Sequence, residues 1–299
     1  MISIIICSVN QNYLKDVSEN ILYSIGVEYE LLVWDNRIAK KGLCEVYNMM
    51  AAKAKYDYLC FLHEDILFEN TGWGKILCDV FAKNPAIGMT GVAGSNYKSK
   101  MYSGWYTGVP AFDAVNITHR HRATGEDVKM YKPVASQKDA LHRVVCIDGV
   151  MINCRRSLWE KVKFDEQLIK GFHFYDIDFS LRAGALTEIV VLLNIDIVHI
   201  TFGGDFGDKW VAEAIRFHQH SPSSLPLYLY QPDERDAEYS IAAHYLDRLK
   251  AEKISLANRR KWLLDQKLYR VPSLWYAVLR FLVYEPFQLH RLHRHFKKA

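Results

Sequence analysis

A triplet of polar residues, His63, Glu64 and Asp65, directly follows the apolar run of residues 58–62. A buried strand rarely ends in three polar side chains unless they face a ligand or a solvent-filled crevice. If strand geometry continues through the triplet, His63 and Asp65 point to one side and Glu64 to the other. Carboxylate and imidazole groups are ligands for divalent cations. The triplet therefore predicts a ligand site that is able to hold a cation.

Two more carboxylates, Asp176 and Asp178, precede the helical pattern of residues 179–185. Acidic side chains stabilise the positive end of a helix, so capping of the helix is an alternative explanation for both. A single histidine, His199, closes the apolar run of residues 189–198. A lone histidine at a strand end is most often a packed or exposed residue, so these positions need a wider context.

The elements that position the triplet alternate between strand and helix patterns. Continuous apolar runs predict strands, and apolar spacing with a helical period predicts helices between them. The predicted strands cover residues 2–7, 29–34 and 58–62, and the predicted helices cover residues 13–25 and 43–55. Cys7-Ser8 and Asp35-Asn36 follow the first two strands as the triplet follows the third. Ligands bind beyond the carboxyl ends of parallel strands, so we expect these residues to converge on one site.

Composition narrows the class of protein. Half of the 299 residues are hydrophobic, enough for a substantial core, and the net charge of +4 gives no field that favours nucleic acid as a partner. The six cysteines lie in apolar segments without a CxxC pair, which predicts free buried thiols in a reducing cytosol. The apolar N-terminus is too short for a signal sequence and is predicted to be the first strand. We therefore expect a cytoplasmic α/β protein.

The turn after the first strand excludes two common phosphate-binding motifs. Residues 8–12 contain no glycine, whereas a dinucleotide-binding turn needs glycines to bring its backbone against a pyrophosphate, and no Walker-type motif is present. A diphosphate site without a glycine cradle must offset its negative charge in another way. A divalent cation held by carboxylates is the usual solution, and the triplet supplies such ligands.

Six segments, in order, resemble the A-type (GT-A) glycosyltransferases, especially the large inverting family two. The resemblance runs from Ser3 to about Gly204, within a narrower branch that has an HED triplet where most members carry DxD. The segments are a strand ending at Ser8, Val33–Asn36, Cys44–Asn48 leading to His63–Asp65, Ile147–Met151, Tyr175–Arg182 and Val198-His199. The resemblance implies a GT-A-like, mostly parallel Rossmann-like sheet flanked by helices, with a catalytic domain over residues 1–220.

The resemblance also implies roles on the donor side. Asp65 matches the second Asp of DxD and is the expected metal ligand, with His199 completing the shell of Mn²⁺ or Mg²⁺. His63 replaces the first Asp, so it is expected either to ligate manganese or to donate a hydrogen bond to phosphate. Together with Glu64, further residues are expected to bind the nucleotide sugar: Ser8 and Asp35 in the nucleoside pocket, and Gly149, where the missing side chain lets the sugar approach the backbone.

On the acceptor side, Asp176 matches the Asp of the family's ED motif and is expected to be the catalytic base, with Tyr175 where the family often has Glu. Direct displacement at an anomeric carbon needs such a base to take the acceptor proton. Asp178 is expected to orient this loop or to contact the acceptor, and Asp148 to contact a sugar hydroxyl or cap a turn. Residues 95–138 are expected to be irregular, with Trp105 able to stack on a sugar, and a solvated loop is an equally good explanation.

The C-terminal part, residues 221–299, is expected to be a helical extension. Residues 233–269 combine charge alternation with helical apolar spacing. Residues 271–289 are apolar, but Pro272, Arg280, Glu285 and Pro286 argue against a membrane span. The basic residues 290–298 leave two explanations open: peripheral contact with the inner face of the membrane, or a dimer or core-packing helix with a solvated end.

Three functions fit the sequence. The first is an inverting, metal-dependent transfer of a sugar from a nucleotide diphosphate, expected to be a uridine nucleotide, to a hydroxyl of a glycan or lipid-linked glycan. The second is a sugar nucleotidyltransferase, which normally needs the glycine-rich loop that residues 8–12 lack. The third is a non-catalytic nucleotide-sugar or glycan-binding protein.

Overall fold

A computed structural model describes residues 1–131, 140–201, 206–252 and 254–279. The strands in these residues are β1 (Ile2–Ser8), β2 (Tyr29–Asp35), β3 (Tyr58–Leu62), β4 (Ile66–Phe68), β5 (Ile87–Gly91), β6 (Ala93–Ser95), β7 (Tyr97–Lys98), β8 (Asp113–His121), β9 (Asp127–Tyr131), β10 (Leu141–Val144), β11 (Cys146–Ile147), β12 (Met151–Arg155), β13 (Glu188–Leu192), β14 (Ile197–Thr201) and β15 (Leu227–Tyr228). The helices are α1 (Gln11–Ser24), α2 (Leu43–Ala51), α3 (Trp73–Lys83), α4 (Arg156–Val162), α5 (Tyr175–Gly184), α6 (Asp208–His220), α7 (Glu234–Ala251), α8 (Leu256–Asp265) and α9 (Trp275–Leu279), with 3₁₀ turns at Leu268–Arg270 and Pro272–Leu274.

The first three strands and two helices form as predicted, with small shifts at their ends. Helix α1 begins at Gln11 because the Asn10 side chain accepts hydrogen bonds from the amides of Asn12 and Tyr13 and caps the helix. The apolar face of α1 buries Val17 and Ile21 against the sheet. Burial of such a face, rather than intrinsic propensity, supplies most of a helix's stability in a folded protein.

The central sheet has seven strands in the order β10-β13-β5-β12-β3-β1-β2. Strand β1 pairs in parallel with both β2 and β3, so Ser8 lies beside Asp35 and the three carboxyl ends meet at one edge. The sheet as a whole is mixed, because β12 runs antiparallel to β3 and β5, and β10 runs antiparallel to β13. The α/β class and the predicted convergence of strand ends are both present.

A second sheet has the order β11-β6-β8-β14-β4, with β9 paired to β8. Its strands β8 and β9 form an antiparallel hairpin within residues 95–138, where irregular structure was expected. That expectation is wrong for β8 and β9 but agrees with residues 99–112, which form no strand or helix. A solvated loop is wrong for Asp113–Thr118, which are buried. Polar residues such as Asn116 concealed the strand: its side chain is buried and donates to the carbonyls of Leu193 and Ile195.

The C-terminal helices pack on the sheet part of the molecule. A separate apolar cluster contains Tyr97, Val211 and Ile215 together with Ile241 and Trp262, so its residues come from both sides of the predicted boundary at 220. Helices α7 and α8 occupy the segment predicted to be helical. Among the described residues, no helix is long and apolar enough to cross a membrane. The basic residues 290–298 lie outside the described part of the chain.

Candidate active site

Three side chains that are separated in sequence converge at the edge of the two sheets. His63 and Asp65 follow β3, and His199 lies on β14 opposite Ile66 of β4. The Nε2 atom of His199 is 3.5 Å from Oδ1 of Asp65, and Nδ1 of His63 is 4.0 Å from the same oxygen. One ligand atom from each residue lies within 4.8 Å of the other two. The structure thus brings Asp65 and His199 together as predicted and adds His63 to form a histidine–aspartate–histidine trio.

Tyr175 orients the imidazole of His63. Its hydroxyl donates to the carbonyl of Gly149 at 2.9 Å and lies 2.9 Å from Nε2 of His63. Because the single hydroxyl proton is used on Gly149, Nε2 of His63 must be the donor in the second contact. The lone pair of His63 is then on Nδ1, which faces Asp65. A metal-ligating histidine is commonly fixed in this way through its second nitrogen.

Burial and the contacts between Asp65 and the two histidines shift the pKa values of all three residues of the trio. Burial lowers the pKa of His63. Burial alone would lower the pKa of His199, but its hydrogen bond to Asp65 raises it. Burial would raise the pKa of Asp65, and the two histidines hold it below its usual value. Two imidazoles and one ionised carboxylate fit a divalent transition metal such as Mn²⁺ better than Mg²⁺, which prefers oxygen ligands.

Glu64 points away from the trio and fixes the turn between β1 and α1. Its carboxylate accepts the hydroxyl of Ser8 at 2.6 Å and the amides of Val9 and Asn10 at 3.1 Å. Glu64 and Asp65 lie in a turn between β3 and β4, so the strand does not continue through the triplet and the expected strand alternation does not account for their different directions. Ser8 is fully buried, so its predicted place in the nucleoside pocket is behind Glu64 rather than on the surface of the site.

A large cleft of about 560 Å³ opens beside the trio. Cys7, Asn36 and Tyr47 line it at the strand ends, and Glu64 and Asp65 line it near the trio. Five basic side chains also line the large cleft: Lys40, Lys41, Arg122, Lys170 and Lys209. This excess of positive charge gives an anion such as a diphosphate a favourable environment without a glycine-rich loop.

Asp35 is placed next to this cleft but is engaged with a neighbour. Its carboxylate accepts a bidentate pair of hydrogen bonds from Arg37, at 2.9 Å from Nε and 2.6 Å from Nη2. These bonds lower the pKa of Asp35 to about 2. Asn36, and not Asp35, lines the large cleft. A nucleoside contact by Asp35 would therefore require exchange of Arg37 for the ligand.

Asp176 lies in a small cavity of about 160 Å³ on the other side of His63. Its carboxylate accepts the amides of Gly149 at 3.0 Å and of Ile177 at 2.9 Å. Burial, reinforced by the charge of Asp148, raises its pKa to about 7. Phe174, just before α5, has a left-handed backbone with φ 69°, a conformation that is costly for a non-glycine residue and recurs at functional sites. The geometry presents a carboxylate able to accept a proton near neutral pH.

Asp148, Gly149 and Trp105 also line the small cavity. Asp148 accepts hydrogen bonds from the indole of Trp105 and, at 2.6 Å, from the amide of Val150. Gly149 is required by close packing, because a Cβ there would lie 2.1 Å from the hydroxyl of Tyr175. His63 and Phe172 line both the large cleft and the small cavity, so the two spaces adjoin at the trio.

Asp178 is not brought to either space. It is buried, with 1% of its surface exposed, and its Oδ2 pairs with Nη2 of Arg182 at 2.5 Å. Arg182 also donates to the carbonyls of Val162 and Lys163, which ties α5 to the end of α4. This arrangement agrees with the expected orienting role and leaves no path to a bound acceptor, so the acceptor contact is not supported.

Sequence reasoning gave no specific role to two residues of the site. Tyr175 stands where the family often has Glu, and its position beside Asp176 is the available signal. His119 lies in the segment expected to be irregular, and its imidazole is beside His199, with ring centroids 5.5 Å apart. The Nδ1 atom of His119 is buried without a hydrogen-bond partner among the described residues. The register of β8 against β14, which pairs His119 with His199, produces this contact.

No curated protein matches the chain significantly. A crystal structure of TarS from S. aureus, residues 1–349, is similar with a TM-score of 0.51 and 13% identity, over 88% of this chain and 77% of that one. A structure of GalNAc-T7 with UDP, GalNAc and Mn²⁺ is similar with a TM-score of 0.52 and 11% identity, over 82% of this chain and 55% of that one.

These structural similarities confirm the GT-A fold. The sequence profile described as a glycosyltransferase-like family matches residues 3–219, which include the trio, both spaces and Asp176. This match covers most of the chain, including every predicted site residue that the structure places at the site. The protein therefore belongs to the glycosyltransferase-like family.

Proposed function

We propose that the protein is a metal-dependent glycosyltransferase that moves a sugar from a nucleotide diphosphate, a uridine nucleotide, to a hydroxyl of a glycan or lipid-linked glycan with inversion. The observation that carries the proposal is the position of the trio. It lies between a basic cleft large enough for a nucleotide and a small cavity that holds a carboxylate with a pKa of about 7. A transferase that uses a diphosphate leaving group needs these three parts side by side.

In this proposal Asp176 is the catalytic base. The acceptor hydroxyl gives its proton to the carboxylate of Asp176, its oxygen forms a bond to the anomeric carbon, and the bond from that carbon to the diphosphate oxygen breaks. The electron pair leaves with the diphosphate. A single displacement of this kind inverts the anomeric centre. The amides of Gly149 and Ile177 hold the carboxylate in place during the transfer.

His63, Asp65 and His199 would hold the divalent metal. When bound, the metal would supply positive charge that stabilises the departing diphosphate. Lys40, Lys170 and the other basic residues of the large cleft add to this charge. The hydrogen bond from His63 to Tyr175 keeps Nδ1 directed toward Asp65, so the protein determines the geometry of the metal site before the donor binds.

One comparison and the ligand chemistry of the trio support the choice of donor and metal. GalNAc-T7, which has the same fold, was crystallised with UDP, GalNAc and Mn²⁺. The two imidazoles in the trio also favour manganese over magnesium. We also propose that the protein belongs to the branch with an HED triplet and that it is cytoplasmic. The C-terminal residues are proposed to contact either a membrane or a second subunit. None of these is needed for the chemistry of the site.

Thermal unfolding with UDP, GDP, CDP and ADP, each with and without Mn²⁺, tests the donor site. A ligand that binds only the native state raises the unfolding midpoint. We expect a shift with UDP that depends on Mn²⁺. Asp65→Ala should lose the Mn²⁺-dependent part, whereas Asp176→Asn should keep it because Asp176 lies outside the large cleft.

Asp79→Ala is a suitable control, because Asp79 is a half-buried residue of α3 that pairs with Lys75 and Lys83 and lines neither space. It should behave as the wild type. If none of the nucleotides shifts the midpoint, the donor site is wrong and a non-catalytic protein becomes the better explanation. If the Mn²⁺-dependent part of the midpoint shift survives in Asp65→Ala, the trio is not the metal site.

A further inference from the structure

The large cleft and the small cavity carry opposite charges. Lysine and arginine side chains line the large cleft, as described above. Two carboxylates, Asp148 and Asp176, and two histidines, His63 and His173, line the small cavity, and no lysine or arginine lines it among the described residues. His63 lies between the two spaces. A negatively charged donor and a negatively charged acceptor therefore meet very different surroundings on the two sides of the trio.

The small cavity also has an aromatic wall. Trp105, Phe172 and Trp210 line it, and the indole N–H of Trp105 is held by Asp148. A tryptophan fixed at its polar edge presents its apolar face, which suits the C–H face of a sugar ring. The cavity volume of about 160 Å³ gives room for a single ring, with the rest of a longer acceptor outside.

We infer that the acceptor ring entering the small cavity is a pyranose without an acidic group: an uncharged or amino sugar, and neither a uronic acid nor a phosphosugar. The inference rests on the proposed function and specifies its acceptor. An anionic substituent would lie against Asp148 and Asp176 in a partly buried space. At a pH above about 7, where Asp176 is ionised, like charges in such a space repel strongly. Repulsion of this kind is an efficient source of specificity because it rejects the wrong ligand rather than improving the right one.

Saturation-transfer NMR on the full chain, with UDP and Mn²⁺ present, tests the inference with matched pairs of probes. The pairs are methyl glucoside with methyl glucuronide, and methyl galactoside with methyl galacturonide. Each pair differs in the acidic group alone. We expect saturation of at least one neutral glycoside, and a signal at least tenfold weaker for its uronide.

Asp148→Asn should reduce this discrimination by making the cavity wall less negative, and Asp79→Asn, at the control position on α3, should leave it unchanged. Equal signals from a neutral glycoside and its uronide in the wild type would overturn the inference. Absence of signal from all four probes would also overturn it, since the cavity would then not bind a sugar ring. The midpoint shift with UDP and Mn²⁺, measured on the same sample, separates this failure from failure of the proposed donor site.

Discussion

Asp176 combines two properties that a buried carboxylate seldom has together. It accepts two backbone amide hydrogen bonds, which stabilise its charged form, and its pKa is nevertheless raised to about 7 by burial and by the nearby Asp148. The ordinary pKa of an aspartate is near 4, where it is too weak a base for a hydroxyl proton. A pKa close to the working pH is the most effective value for general base catalysis.

We expect turnover of the sugar donor to fall as the pH drops below about 7, because the carboxylate of Asp176 is then protonated and unable to accept a proton. Asp176→Asn should lower turnover by about 10²-fold or more at every pH and remove this limb of the profile. Release of UDP, followed from pH 5.5 to 9, measures both effects. Full activity in Asp176→Asn would exclude this residue as the base, whatever the shape of the profile.

Residues at strand ends were the part of the site that the sequence could predict. His63 and Asp65 stand out because a polar side chain directly after an apolar run usually faces a ligand or solvent. Asp176 stands out because an acidic side chain at the start of a helix either caps the helix or faces a ligand. Asp178 shows the limit of this argument. It lies four residues before Arg182 on α5, a spacing that brings the two side chains together, and this pairing explains it without any ligand.

At the scale of elements, the loop that carries Trp105 is held by a helix from the C-terminal part. The hydroxyl of Tyr245 on α7 accepts the amide of Gly104 at 2.7 Å and donates to the carbonyl of Tyr106 at 2.9 Å. One side chain therefore fixes the backbone on both sides of Trp105. The position of the aromatic wall of the small cavity depends on α7.

We expect Tyr245→Phe to weaken acceptor binding several-fold and to leave the UDP-dependent midpoint shift unchanged. Two partly buried backbone groups lose their partner. The cost is about 1–3 kcal/mol for a fully buried group and is smaller where water replaces the hydroxyl. Titration with the neutral glycoside that binds the wild type measures the effect. Tyr239→Phe, on the exposed side of the same helix, is the matched control. An equal loss of UDP binding in Tyr245→Phe would indicate general unfolding instead of a local effect on this loop.

The order of elements was predictable where neighbours in sequence are neighbours in space, as in the β1-α1-β2-α2-β3 unit. The remaining strands were not, because their partners lie far away along the chain. Strand β14 illustrates this point: its pairing with β4 and β8 is what places His199 beside Asp65 and His119 beside His199. No local pattern in residues 197–201 specifies those partners. The family resemblance implied that His199 joins Asp65, but the contact of His119 with His199 is visible only in the fold.

On the scale of the whole molecule, Trp262 of α8 links the C-terminal helices to the sheet part. Its side chain is fully buried and its indole donates to the carbonyl of Tyr102 at 2.9 Å. The amide of Tyr102 in turn donates to the side chain of Gln266 at 2.7 Å. The cluster around Trp262 also includes Val211 of α6, which precedes the predicted boundary. Separating the two parts would expose apolar surface on both.

The wild type should therefore unfold in urea as one cooperative unit, with far-ultraviolet circular dichroism and tryptophan fluorescence giving the same midpoint. Trp262→Ala should lower the free energy of unfolding by about 3–5 kcal/mol, because a large buried side chain leaves a cavity, and both probes should shift together. Trp275→Ala, at a side chain that is 54% exposed, should have a much smaller effect. Two transitions in the wild type, or a shift of one probe alone in Trp262→Ala, would mean that residues 221–299 fold as an independent domain. A single transition that shifts as a whole in Trp262→Ala would show that the C-terminal helices and the sheet part unfold together.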